Sequence, residues 1–228
     1  MPTLILEHGP HGTAGVVGRT LRDNGLRTTI LDLARGDSLP NDLDDVDAIV
    51  SCSGDYSACD TSTAWMDGEL AILKAAHDSS KPLLGFGLGG HLLAQALGGR
   101  IEPLETTRCG LANIKLTPVG RDDPLFRGLP WHGTWPTWEF DSVIELPPNS
   151  ILLASGETPN QAWCSGVWTY GVQFNPHWDS DTLLQRCDDP ATRAAVMQNA
   201  ESAERQAARF ADNISSYLLP TASLAVGK

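Results

Sequence analysis

The segment KPLLGFGLGGHLLAQALGGRIEP, from Lys81 to Pro103, decides the fold, because it leads an apolar strand into a helix through a run of glycines. Gly85, Gly87 and Gly90 spell G-x-G-x-x-G, a pattern that after a strand is typical of a dinucleotide-binding turn. The same spacing also fits a sharp strand-to-helix turn that carries a catalytic nucleophile, with Gly87 at the nucleophile position. The two interpretations predict different functions, and the flanking sequence is needed to choose between them.

On the N-terminal side of this segment, strand and helix patterns alternate. We predict strands over 3–8, 27–33, 46–51 and 82–86, and helices over 16–24, over 64–77 and from Gly89 onward. This alternation is typical of right-handed crossovers and of a parallel sheet covered by helices on both faces.

On the C-terminal side, the apolar runs become shorter and are interrupted by Pro, Gly and Asn. They predict strands of a mixed or antiparallel extension, at IKLTPV, DSVIEL, SILLAS, AWCSGVW and YGVQF. Residues 180–219 are polar and rich in Ala, Arg and Glu, which predicts one or two surface helices with a break at Pro190. The tail TASLAVGK is expected to fray. Without a linker or repeat, residues 1–228 are predicted to form a single domain.

Composition and charge limit the class of partner. The net charge of -12 argues against nucleic acid and against an anionic membrane. No apolar run reaches membrane-spanning length, and the start MPTLILEHGPHG lacks the basic region of a secretion signal. We therefore predict a cytoplasmic protein that binds a small-molecule substrate or ligand; the sequence leaves open a partner enzyme and a homodimer.

The five cysteines are scattered, and none forms a C-x-x-C pair. This pattern predicts reduced thiols and indicates neither a disulfide framework nor a zinc ribbon. No cofactor is predicted.

The dinucleotide interpretation requires the glycine turn to follow the first strand of a βαβ unit. It also requires an acidic residue about 20 residues later for the ribose, and Glu105 lies near that distance. The turn follows the fourth predicted strand, however, and leads into the irregular half of the chain. Dinucleotide binding at Gly85–Gly90 is therefore the minor alternative.

The nucleophile interpretation is supported by a resemblance that covers roughly residues 3–178. PLLGFGLGGHLLAQALGGRI resembles the nucleophile elbow of class I glutamine amidotransferases, P-x-L-G-x-C-x-G-x-Q-x-L-A-x-x-x-G-G. YGVQFNPHWD resembles the G-x-Q-F-H-P-E motif of the same family. The segments that resemble the free-standing, GMP-synthase-amidotransferase-like subgroup are EHGPHGTAG, DDPLFRGLP, DSVIELPPNSILLAS and NQAW. The resemblance implies an α/β fold: a flavodoxin-like three-layer αβα sandwich with a mostly parallel central sheet and a smaller mixed or antiparallel extension.

The resemblance also implies that the family's chemistry is absent. That reaction needs a Cys nucleophile, a His that accepts its proton and a Glu that orients the His. The matching positions hold Gly87, Asn175 and His177. Glycine supplies no nucleophile and asparagine accepts no proton at neutral pH, so glutamine hydrolysis by the family mechanism is predicted to be absent.

The oxyanion-binding backbone of the family is implied to persist. Its two N–H groups correspond to Leu88, just after the elbow, and to Gly54 in SCSGDYS. The family has Gly-Gly-Pro in that loop, so Ser53 and Asp55 depart from the pattern. A carboxylate at Asp55 is expected to oppose the binding of an anion.

Three polar side chains stand at positions where the family has others. His91 replaces a glutamine, His177 replaces the triad glutamate, and Glu139 stands where the subgroup has a histidine. A neutral imidazole acts as a general base near pH 7, and two His with one carboxylate form a metal-capable set. The alternative is that these residues, with Asn175, have no catalytic role. They would then be chance substitutions in a pocket that has lost its activity, hydrogen-bonded to backbone or water.

Four further residues are assigned to the pocket wall: Trp138, Trp178, Cys52 and Asp55. The tryptophans flank Glu139 and His177 and would form an aromatic wall, although packing under the strands explains them equally well. Cys52 and Cys109 are candidate replacement nucleophiles, against the commoner fate of a buried, inert thiol.

Two functions follow from this site. The first is a repurposed enzyme in which His177 and His91 act on an amide or amino-acid-like substrate in a biosynthetic pathway. The second is a non-catalytic pseudoenzyme that binds a partner synthetase or a small ligand.

Overall fold

Nine strands and six α-helices form the part of the chain that the computed structural model describes, residues 1–219. The strands are β1 (Thr3–His8), β2 (Thr28–Asp32), β3 (Ala48–Gly54), β4 (Leu83–Phe86), β5 (Arg100–Leu116), β6 (His132–Glu145), β7 (Ser150–Ser155), β8 (Ala162–Ser165) and β9 (Thr169–Val172). The helices are α1 (Gly15–Asp23), α2 (Met66–Asp78), α3 (Leu88–Ala96), α4 (Pro118–Asp122), α5 (Ser180–Leu184) and α6 (Pro190–Asn213). A π-helical turn at Ile214–Leu218 follows α6. The tail predicted to fray lies outside the described residues.

All nine strands belong to one sheet, in the order β2-β1-β3-β4-β9-β8-β7-β5-β6. The first five strands of this order pair in parallel. The remaining pairings, from β9 to β6, are antiparallel. The α/β fold and the division into a parallel sheet with an antiparallel extension are therefore confirmed.

Helices cover both faces of the parallel region, because its strands are apolar on both sides. Ile5 of β1 packs on one face with α1 and α6, through Leu21 and Phe210. Leu4 and Leu6, which point to the opposite face, pack with α2 and α3 in a second core. These two cores make the three layers of the αβα sandwich.

The main difference from the prediction is a long ribbon formed by β5 and β6. β5 runs for 17 residues and β6 for 14, paired from Arg100 opposite Glu145 to Lys115 opposite His132. The first half of β5 is largely exposed, so it has no alternating apolar pattern to detect. Glu105, the acidic residue of the dinucleotide interpretation, lies in this exposed half.

The prediction that all cysteines are reduced is wrong. Cys109 of β5 and Cys187 after α5 form a disulfide that closes a loop with a sequence separation of 78. Their spacing gave no signal, since the two segments meet only in the folded chain. Disulfides are rare in the cytosol, so the cytoplasmic assignment stays a prediction.

Within residues 1–219, none of the helices combines the length and the apolar character needed to cross a membrane.

Candidate functional site at the β4–α3 turn

The turn between β4 and α3 is a tight, strained backbone turn. Gly87 has φ 51° and ψ −115°, a conformation that side-chain-bearing residues rarely adopt. α3 then packs so closely on β9 that a Cβ on Gly90 would lie 2.5 Å from the carbonyl oxygen of Val172. The turn follows β4 and not the first strand, so the context that the dinucleotide interpretation requires is missing.

The space above Gly87 is occupied by two polar side chains. A Cβ on Gly87 would collide with Ser53 Oγ and would lie 2.7 Å from Asn175 Oδ1. The Ser53 hydroxyl donates a hydrogen bond to Asn175 Oδ1 and lies 3.4 Å from the carbonyl oxygen of Phe86. All of these side chains are buried. A nucleophile at position 87 therefore has no room unless Ser53 moves.

His177 is near this turn but makes no polar contact through its ring. The side chain is fully buried, and neither ring nitrogen has a hydrogen-bond partner. The imidazole stacks on Phe86, with 4.9 Å between ring centroids. Burial lowers the pKa of His177 to about 3, so the ring is neutral at physiological pH. Its role as an acid or base stays a prediction that this environment does not favour.

The side-chain amide of Asn175 has a hydrogen-bond partner at its oxygen and none at its nitrogen. Its Oδ1 accepts from Ser53, whereas its Nδ2 is buried without a partner. Its backbone N–H donates to the carbonyl oxygen of Pro136 at 2.8 Å.

His91 belongs to a different hydrogen-bond network. Its Nε2 lies 3.0 Å from Gln173 Oε1, which also accepts from the backbone N–H of Val143. The Gln173 amide nitrogen donates to the carbonyl oxygens of Pro159 and Asn160. Because an amide oxygen only accepts, His91 Nε2 carries the proton, and the histidine braces the strand ends through Gln173.

Glu139 is a buried carboxylate that is only partly satisfied. It is 1% exposed, and its Oε1 lies 3.4 Å from Gln161 Nε2. Its Oε2 has no hydrogen-bond partner, and the guanidinium of Arg108 is 4.0 Å away. Glu139 and His177 make no hydrogen bond with each other, since neither His177 nitrogen has a partner.

The metal hypothesis required His91, His177 and Glu139 to converge. Among the described residues, no three His, Cys, Asp or Glu side chains are arranged to hold a metal ion. These three residues therefore do not form a metal centre in this conformation.

The two predicted oxyanion positions do come together. A Cβ on Gly54 would lie 2.9 Å from Leu88 Cδ2, so the C-terminal end of β3 lies directly against the start of α3.

The predicted pocket wall also assembles, but around a cation that the sequence did not indicate. The Arg186 guanidinium lies over both the Trp138 and the Trp178 rings, 4.9 Å from each centroid. It forms an ion pair with Asp55, which also accepts from His11 Nδ1 at 3.0 Å. Three of the predicted wall residues thus surround Arg186.

The two cysteine hypotheses are wrong. Cys52 lies within β3, fully buried in the core beneath α1 and α6, and does not line a pocket. Burial raises the pKa of its thiol well above the usual value, which makes it unreactive. Cys109 is bonded to Cys187 and has no free thiol.

The comparisons with known proteins point to one family. No protein-family model matches the chain. Over 186 residues, 79% of this chain, it is 30% identical to the glutamine-hydrolyzing GMP synthase of Porphyromonas gingivalis and covers 34% of it. Over 110 residues, 46% of this chain, it is 37% identical to a subunit of the glutamine-hydrolyzing GMP synthase of Thermococcus kodakarensis and covers 56% of it. The fold matches the crystal structure of a glutamine amido transferase from Methylobacillus flagellatus with a TM-score of 0.81 and 21% identity, covering 93% of both chains.

In sequence the chain is similar to glutamine-hydrolyzing GMP synthases, and in fold to a glutamine amido transferase; these similarities support a class I glutamine amidotransferase-like family. The chain spans about a third of the length of the P. gingivalis relative and just over half of the T. kodakarensis one.

In this amidotransferase-like protein, a buried hydrogen-bond network that was not predicted from the sequence lies beside the same turn. His8 Nε2 lies 2.7 Å from Glu69 Oε2, and Ser51 Oγ donates to Glu69 Oε1 at 2.6 Å. His8 Nδ1 lies 3.0 Å from the carbonyl oxygen of Cys52 and 3.1 Å from that of Ser53. A Glu within a helix pattern is usually a solvated residue, so the sequence carried no signal of this pair.

Proposed function

We propose that this protein is a non-catalytic amidotransferase-like module, which does not hydrolyse glutamine and acts by binding a partner synthetase. The observation that carries the proposal is the Ser53–Asn175 hydrogen bond, which fills the space above Gly87 where a nucleophile would stand.

The chemistry supports the loss of hydrolysis at each step. Glycine at position 87 offers no thiolate to attack an amide carbonyl. Asn175 cannot take a proton at neutral pH, and its oxygen is already engaged by Ser53. His177 is neutral and buried, so it neither orients a base nor reaches solvent.

The binding role is supported by the kind of protein that the chain is similar to. The T. kodakarensis relative is named as one subunit of a GMP synthase. The P. gingivalis relative carries further sequence in the same chain, since only 34% of it is matched. We infer that this chain likewise works beside a second protein or domain.

The catalytic half of the proposal is tested by measuring ammonia released from glutamine. We expect none from the natural chain and none from Gly87→Cys, because Ser53 blocks the new thiol. A combined variant, Gly87→Cys with Ser53→Gly, Asn175→His and His177→Glu, is expected to release ammonia if the turn keeps a catalytic shape. Release by the natural chain would refute the proposal.

The binding half is tested by cross-linking the untagged protein in its own cells and identifying stoichiometric partners. One recurring synthetase-type partner is expected. A protein that stays monomeric and is not cross-linked in its own cells would contradict the binding of a partner synthetase. That result would not affect the proposal that glutamine is not hydrolysed.

A second candidate, a repurposed enzyme, is favoured by one specific observation. Several buried polar atoms in and beside the site lack partners: Glu139 Oε2, Asn175 Nδ2 and both ring nitrogens of His177. Such groups are costly unless something satisfies them, and a bound substrate would do so. If this candidate is correct, His177→Phe, which keeps an aromatic ring against Phe86 in the core, abolishes turnover of the substrate; a variant that stays active would contradict this candidate.

A further inference from the structure

Arg186 occupies an unusual position for a charged residue. Only 4% of its side chain is exposed, and the guanidinium lies over two indole rings, those of Trp138 and Trp178. Burial lowers the pKa of Arg186 to about 10, which still leaves it charged at neutral pH. A buried charge of this kind requires a partner.

The present partner uses only one edge of the guanidinium. Asp55 engages Nη1 and Nη2, while Arg186 Nε is buried without any hydrogen-bond partner. The indole N–H groups of Trp138 and Trp178 are also buried, and neither makes a hydrogen bond of good geometry. Each belongs to a ring centred 4.9 Å from the Arg186 carbon, so two indole donors and a free guanidinium N–H lie around one cation.

One of these donors already acts on the carboxylate that is present. Burial raises the pKa of Asp55, and the Trp138 N–H opposes that rise because it favours the charged form of the carboxyl group. The Trp138 N–H is therefore partly engaged by Asp55, whereas the Trp178 N–H and Arg186 Nε have no hydrogen-bond partner.

An assembly of donors and positive charge, with no spare acceptor among these atoms, is suited to an oxyanion. The flat guanidinium fork matches a planar carboxylate, which it binds through two parallel hydrogen bonds. Asp55 is such a carboxylate, and it differs from the rest of the assembly in being 39% exposed.

We propose that Arg186, between Trp138 and Trp178, is a binding site for a ligand carboxylate, and that Asp55 occupies this site as an internal substitute until the ligand displaces it. The ligand class is a small organic carboxylate. The proposal stands apart from the proposed function, because it requires neither glutamine hydrolysis nor a partner synthetase.

The surrounding chain holds the site in place before a ligand arrives. Cys187 adjoins Arg186 and is bonded to Cys109, which lies opposite Trp138 in the β5–β6 register. Trp178 is 1% exposed and packs with Cys187 in one apolar cluster. The cation and both rings are therefore fixed, whereas the Asp55 side chain reaches the surface. Such preorganisation reduces the entropy lost on binding.

The test removes the internal carboxylate and offers an external one. Asp55→Asn keeps the side-chain shape without the charge. Titration with propionate, followed by tryptophan fluorescence and by the NMR signal of the Arg186 Nε–H, is expected to show binding at least tenfold tighter than in the natural chain. Propionamide, the neutral isostere, is expected not to bind.

Three controls make the result decisive. The double variant Asp55→Asn with Arg186→Gln is expected to lose propionate binding. Glu201→Gln, which removes the carboxylate of the exposed Arg205 pair, is expected to gain none. Inorganic phosphate is expected to bind Asp55→Asn at least tenfold more weakly than propionate.

The proposal is overturned if Asp55→Asn, with an unchanged melting temperature, shows no saturable propionate binding. It is also overturned if binding persists without Arg186. Equal affinity for phosphate would overturn the assignment to a carboxylate.

Discussion

Two buried histidines in this protein have nearly the same aromatic contact and opposite polar surroundings. His8 stacks on Trp65 with a centroid distance of 4.8 Å and an interplanar angle of 20°. His177 stacks on Phe86 at 4.9 Å and 21°. Both nitrogens of His8 face oxygen atoms, whereas neither nitrogen of His177 has a partner.

This difference decides the direction in which the pKa of each ring shifts. Burial alone would lower the pKa of His8, but the Glu69 carboxylate and two backbone carbonyls outweigh it and raise the pKa. At His177 burial acts unopposed and lowers the pKa to about 3. Stacking and depth are therefore poor guides to protonation, and the hydrogen-bond partners determine it.

Of the changes to these two histidine environments, removal of Glu69 is expected to destabilise the protein most. Glu69→Ala leaves the His8 ring and the Ser51 hydroxyl without their shared partner inside the core, and we expect the free energy of unfolding to fall by about 3–5 kcal/mol. Urea denaturation measures the change. Glu69→Gln, whose amide can still contact both residues, should lose clearly less. A loss in Glu69→Ala no larger than in the exposed control Glu201→Ala would contradict the assignment of a buried hydrogen-bonded network around Glu69.

Trp178, the residue after His177, packs with Cys187, which is bonded to Cys109. Replacing both cysteines by alanine is expected to lower the free energy of unfolding by about 2–4 kcal/mol, because the unfolded chain regains the freedom of a long loop. Thermal unfolding without reductant measures this loss. Adding a dithiol should then destabilise the natural chain and leave the double variant unchanged; an equal response of both would show that the bond does not form.

Lowering the pH should change the contributions of the two histidines to the free energy of unfolding in opposite directions. The pKa of His177 is lower in the folded state than in the unfolded state, where it is about 6.5, so the unfolded chain binds the extra proton as the pH falls below that value. This cost reaches about 2 kcal/mol at pH 5, at about 1.4 kcal/mol per pH unit. His177→Phe should therefore lose about 2 kcal/mol less than the natural chain between pH 7.5 and pH 5.

His8 has the opposite sign and serves as the internal reference. Its folded pKa is raised, so its contribution to stability is fully present below the unfolded pKa and disappears as the pH rises through the folded pKa. Since His8 is unchanged in His177→Phe, its effect cancels in the difference between the two chains. Equal pH profiles for them would mean that His177 is protonated in the folded protein.

Much of the fold was predictable because its strands and helices correspond to local patterns of apolar and turn residues. β1 was predicted with its bounds at Thr3–His8, and β7 at Ser150–Ser155, since both are apolar runs bounded by turn residues. The full length of the β5–β6 ribbon was not: IKLTPV and DSVIEL marked only one end of each strand, and the exposed first half of β5 has no alternating apolar pattern. Of the predicted site, Gly54 and Leu88 meet as expected, whereas His91, His177 and Glu139 do not converge on a metal site.

The order of strands and helices, the family resemblance and the absence of a side chain at residue 87 could all be read from the sequence. These are properties of residue type and short-range spacing. The folded chain was needed to show that Ser53 and Asn175 fill the space at Gly87, that Arg186 lies between two tryptophans and that the pKa values of two buried histidines shift in opposite directions. The physical reason is that burial and hydrogen-bond partners come from distant segments. His8 meets Glu69 across a sequence separation of 61, and Cys109 meets Cys187 across 78.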